Sequence, residues 1–151
     1  MNIRILSPGR VREPYLRDAI EAARRDLVRH CPVELIEVED SPDNWPVEKA
    51  LTVEAERIRA RLRPGDFIVA LDLAGQWVKP DSEGTIRPQL ERWRSQAQGD
   101  LVFLIGGSNG LAPDLLRSCR ERILLSQMTF THQMARLILL EILANAWRCS
   151  V

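Results

Sequence analysis

Two periods of apolar and polar residues divide the chain into elements. Residues 33–38 alternate apolar and polar, the period-2 mark of a half-buried strand, and residues 2–6 read as a short strand ahead of them. Residues 67–71 and 101–105 are unbroken apolar runs of the kind found in strands covered on both faces, so they are expected to be the two central strands. Tyr15, Ile20, Ala23 and Leu27 give a helix over 13–29 an apolar side, and Pro32 breaks it. Further helices are predicted over 47–62, ended by Pro64-Gly65, over 86–97 with Leu90 and Trp93, and over 113–120. A brief strand at 122–125 precedes a last helix over 132–147. Strands alternating with helices predict an α/β fold, a mostly parallel sheet flanked by helices, in a single domain over 1–151 without linker or repeat.

The last helix carries Met134, Leu137, Ile138, Leu139, Leu140, Ile142, Leu143, Ala144 and Trp147, apolar on almost every side. A helix of that kind must be buried all round, which a small chain rarely provides at its terminus, so a homodimer interface is expected there.

Composition changes the picture in three ways. First, 45% apolar and 28% charged residues suit a folded chain rather than a disordered one. No apolar run approaches the ~20 residues that span a bilayer. Arg4, Arg10 and Arg12 also deny the N-terminus a signal-peptide core, so a cytoplasmic protein with no membrane contact is expected. Second, Cys31, Cys119 and Cys149 are widely spaced and form no CxxC pair, which points to reduced structural thiols and no metal. Third, a formal net charge of zero argues against a nonspecific nucleic-acid binder without excluding RNA. The charge is uneven. Eight acidic residues face Lys49 alone between 34 and 56, and then Arg57, Arg59, Arg61 and Arg63 follow. Arginine's planar fork suits phosphate, yet the same run also reads as a solvated helix face.

Ligands of open parallel sheets bind beyond the carboxyl ends of the strands. Three loops fall there: after Leu71-Asp72-Leu73-Ala74-Gly75, at 106–110, and at 125–130. The Gly106-Gly107-x-x-Gly110 spacing fits neither the dinucleotide fingerprint nor a P-loop, and taken alone such a turn is more often plain architecture than a binding site. His132 and Arg136, four apart, share one helix face on which a phosphate or carboxylate could sit; a surface or interface pair behind Thr131 as N-cap is the alternative. His30 reads as structural. No Ser/His/Asp, Cys/His, HExxH or paired-carboxylate pattern supports hydrolysis or metal chemistry.

Two segments carry a resemblance: Leu101-Val-Phe-Leu-Ile-Gly-Gly-Ser-Asn-Gly-Leu111 and Leu125-Ser-Gln-Met-Thr-Phe-Thr-His-Gln-Met-Ala-Arg136, with the opening Ile-Arg-Ile-Leu-Ser-Pro-Gly and the Leu-Asp-Leu-Ala-Gly strand end. Over nearly its whole length the chain resembles the ribosomal RNA large-subunit methyltransferase H family, the pseudouridine N3-methyltransferases of the SPOUT superfamily. The resemblance implies a C-terminal trefoil knot that holds S-adenosylmethionine, an obligate homodimer, and methylation of a pseudouridine in the 23S rRNA stem-loop facing the decoding centre of the assembled ribosome. By motif, the donor site would include Leu71, Gly75, Gly106, Leu125, Ser126, Gln127, Met128, Thr129 and Phe130, mostly through backbone. His132 is a candidate for orienting the substrate or assisting loss of the N3 proton, and Arg136 for a phosphate contact.

The chain departs from the family pattern twice. Thr131 stands where the family usually has proline, a mild change at a helix start. Family chains also continue into a Tyr-His tail that contributes to the substrate side, whereas this sequence stops at Val151. The resemblance therefore supports donor binding better than turnover, and a noncatalytic ribosome- or RNA-binding dimer that keeps the donor pocket is the alternative.

Overall fold

The computed structural model describes residues 2–148; Cys149 and Val151, named above, lie outside the described residues. In chain order the elements are β1 (Ile3–Pro8), α1 (Pro14–Val28), β2 (Val33–Val38), α2 (Val47–Arg59) and β3 (Phe67–Trp77). They continue with α3 (Arg87–Gln96), β4 (Leu101–Leu104), α4 (Pro113–Ser118), β5 (Glu121–Leu124) and α5 (His132–Arg148). The five strands form one sheet in the order β2-β1-β4-β3-β5, with every pairing parallel.

Period-2 alternation sorts the strand side chains onto two faces. Ile3, Ile5, Phe67, Val69, Leu101 and Phe103 point into one apolar cluster. Leu6, Ala70, Val102 and Leu104 point into the other. The register aligns Ile3 and Phe67 on either side of Leu101, so neighbouring strands present their apolar positions to the same face. The first face is covered by α1 through Leu16, Ile20, Ala23 and Leu27, by α3 through Leu90 and Trp93, and by α5 through Leu139, Leu140, Leu143 and Ala144. Ala55 and Ile58 of α2 and Leu115 of α4 cover the second. β1 is as interior as the two expected central strands, because β2 closes the edge beyond it.

Two details differ from the sequence reading. β3 does not end at the Ala74-Gly75 loop: its pairing with β5 resumes at Gln76 after residues 72–75 bulge out. Gly75 makes this possible, since a Cβ there would lie 2.8 Å from backbone atoms of Arg122 and Ile123. The second detail lies at the amino ends of the strands, where Arg4 is 2% exposed. Its guanidinium pairs with Asp66, donates to Asp100 Oδ2 at 3.0 Å and reaches the Arg61 carbonyl at 2.6 Å. Fully paired, the buried charge ties β1 to the starts of β3 and β4.

The arginine run resolves toward a solvated surface rather than a free phosphate stripe. Arg57 donates to the carbonyls of Glu39 and Asp40, Arg59 pairs with Asp114 at 2.7 Å, and Arg63 lies 3.6 Å from Asp100. Cys119 donates to the Leu115 carbonyl, and burial pushes its thiol up to about 11; burial raises Cys31 as well. Neither thiol is an active nucleophile. No helix among the described residues is long and apolar enough to cross a membrane.

Candidate functional site

Because all five strands are parallel, their carboxyl ends open on one side of the sheet, and two adjoining cavities lie there. The larger, about 780 Å³, is mostly apolar and falls within the size range of small-molecule sites. Its walls are residues 71–73 of β3, residues 105–108 and Gly110 after β4, and residues 123–126 and 128–135 running from β5 into α5. Tyr15, Leu73, Met128 and Phe130 are exposed around it, from 40% for Phe130 to 72% for Leu73, so its mouth has an apolar rim.

The glycine turn shapes one wall. Gly107 and Gly110 bridge each other, and Gly110 has φ +77°, a backbone state that favours glycine. A Cβ on Gly106 would stand 2.4 Å from the Gly110 carbonyl carbon, so no larger residue fits without opening the turn.

Of the residues singled out from sequence, Leu71, Gly106, Leu125, Ser126, Met128, Thr129, Phe130 and His132 line this cavity. Three do not. Gly75 is pressed against the β5 backbone, so its role is in the bulge of β3. Gln127 sits in the same loop but outside the wall, exposed. Arg136 is 4% exposed, and its guanidinium donates to the carbonyls of Pro8 at 2.8 Å and Gly9 at 3.1 Å and to Glu37 Oε2 at 3.1 Å. These bonds tie α5 to the end of β1, and the Arg136 Nε–H has no partner among the described residues. The helix start follows the expected form, with the Thr131 hydroxyl accepting the Met134 N–H at 3.1 Å.

The smaller cavity, about 260 Å³, is polar and shares Gly107, Ser108, His132 and Gln133 with the larger one. Arg10, Arg12, Asp40 and Glu54 face it. His132 therefore stands where the two meet. Burial and then the nearby Arg136 charge lower its pKa, while Asp40 and Glu54 pull the other way. The ring is neutral near pH 7 and carries a lone pair.

Sequence reasoning missed the polar cavity. The signal was present: Ala50, Glu54 and Ile58, spaced by four, form the buried stripe of α2, and a carboxylate there has no packing reason. Among the described residues, no group of three or more His, Cys, Asp or Glu is arranged to hold a metal ion.

Comparison with known proteins matches residues 1–150 to a family described as predicted SPOUT methyltransferase. The chain is 39% identical over 153 aligned residues to the ribosomal RNA large subunit methyltransferase H of Acetivibrio thermocellus, covering 98% of this chain and 94% of the relative. The proteins of that name from Bifidobacterium animalis subsp. lactis and Ruminiclostridium cellulolyticum are 38% and 37% identical, with the same coverage.

Proposed function

The chain belongs to the SPOUT methyltransferase family, and from that premise we propose that it transfers a methyl group from S-adenosylmethionine to N3 of a pseudouridine in 23S rRNA, acting as a cytoplasmic homodimer on the assembled ribosome. Large-subunit rRNA as acceptor is supported by the relatives' name, and N3 of pseudouridine by the resemblance carried in residues 101–111 and 125–136. On this reading residues 1–151 form one catalytic domain with the trefoil knot of its family.

The observation that carries the proposal is the large cavity between the glycine turn and residues 125–130. Its volume and apolar walls suit an adenosine-sized ligand, and the turn brings backbone N–H and C=O groups to the wall without side chains in the way. Leu71, Gly106 and the segment from Leu125 to Phe130 would hold the donor. When bound, S-adenosylmethionine supplies a methyl already activated on sulfur, which leaves alignment and proton removal to the protein. His132, neutral and at the junction of the cavities, would accept the N3 proton of a base entering from the polar side. Arg136 holds the start of α5, and so His132, in place.

Labelled S-adenosylmethionine, incubated with the protein and ribosomes lacking the modification, tests the reading. Label is expected in 23S rRNA, at N3 of a pseudouridine. Donor binding without transfer to RNA would overturn it.

A further inference from the structure

Glu54 is 7% exposed, yet no ion pair to it exists among the described residues. Its one hydrogen bond is from the Ser41 N–H to Oε2, at 3.1 Å. Of the other two buried charged residues, Arg4 is answered by two aspartates, and Arg136 by Glu37 and two carbonyls, with only its Nε–H left without a partner among the described residues. A buried carboxylate so sparsely partnered is costly unless something else donates to it. Its Oε1 lies beside Gly107, 3.5 Å from where a Cβ would stand, and the carboxylate lines the polar cavity only.

We propose that Glu54 is the residue that selects the acceptor base, its Oε1 accepting a hydrogen bond from N1–H of pseudouridine. The inference rests on the function proposed above. Pseudouridine, joined to its sugar through carbon, carries two N–H groups, at N1 and N3, separated by the C2 carbonyl. Two acceptors border the polar cavity, one for each N–H. His132 borders both cavities and faces the reacting N3–H; Glu54 borders only the polar one and faces the edge that does not react. Uridine has its sugar on N1 and no donor there, so it would leave Glu54 buried and unanswered, the kind of mismatch by which enzymes reject analogues most strongly.

Glu54→Gln tests this without changing side-chain shape. The amide oxygen can still take the Ser41 N–H, which turns the amide NH2 toward the cavity, donor against donor. Wild type and variant are each assayed on ribosomes carrying pseudouridine or 1-methylpseudouridine at the acceptor position, the latter keeping the carbon glycoside but lacking N1–H. Wild type is expected to lose about tenfold or more in kcat/KM on the methylated base, the scale of a hydrogen bond to a charged group. The variant should lose a similar factor on pseudouridine but discriminate little between the two bases, with S-adenosylmethionine affinity within about twofold of wild type. Equal discrimination by both enzymes would overturn the proposal. So would wild type using both bases alike, an arm that needs no variant to fold. No transfer by wild type to pseudouridine would instead overturn the methyltransferase reading itself.

Discussion

The proton on His132 is set by neighbours of opposite sign. Burial is the largest influence and disfavours the charged ring, Arg136 adds to it, and Asp40 with Glu54 partly offset both. In the unfolded chain the ring titrates near its ordinary value of 6.5. Between that value and the lower one in the folded protein, the unfolded state binds more protons, so stability must rise with pH through this window and level off above it. His132→Gln removes that contribution. Urea midpoints followed from about pH 5 to about pH 7.5 should fall more on acidification in wild type than in the variant, other titrations cancelling between the two. Parallel profiles would contradict it. At this scale the sequence was legible in placing Gly106, Leu125, Ser126 and residues 128–130 at one cavity, because a motif marks them locally. It was illegible at Arg136 and Glu54, whose roles depend on partners distant in sequence: Pro8 and Gly9 for the one, Ser41 and Gly107 for the other.

α5 looked like a helix without enough protein to bury it, and much of the answer lies in α1. Leu16, Ile20, Ala23 and Leu27 join Leu139, Leu140, Leu143 and Ala144 in one cluster. At the far end His30 stacks on Trp147 with ring centroids 5.9 Å apart, and Arg148 pairs with Asp26. Leu143 is fully buried at this seam, and Leu143→Ala is expected to cost about 3 kcal/mol, the transfer term plus the cavity left behind. Chemical denaturation measures it, and a loss under about 1 kcal/mol would mean that α5 does not pack as described. Element positions were readable because apolar periodicity dominates them: β2 has the bounds its alternation predicts, and α1 and α5 differ by a residue or so at their ends. β3 was the exception. Its second half pairs with β5 only after four residues bulge out, a long-range event that the local Ala74-Gly75 turn signal conceals.

The strand order places β1 beside β4 and β3 beside β5, pairings between distant segments that no local pattern announces. The same order gathers the mouths of both cavities at one end of the sheet and leaves an apolar surface there. Met134, Leu137 and Ile138, in the first half of α5, remain only half-buried after α1 has packed, and the exposed Tyr15, Met128 and Phe130 stand around the same opening. An exposed apolar surface around the mouth of the large cavity marks an interaction site, and a second copy of this chain is the occupant the proposed function calls for. Sedimentation at micromolar concentration should give a species of twice the 17.2 kDa chain mass. Tyr15→Glu places a charge on a side chain that is 67% exposed, too open to matter for the fold of one chain. It should weaken the dimer by about tenfold or more while leaving the far-ultraviolet spectrum unchanged, since burying an unpaired carboxylate in an apolar contact is costly. A wild-type protein that sediments as a single chain at all concentrations would remove the dimer from the proposed function, and a variant as dimeric as wild type would move the interface away from this opening.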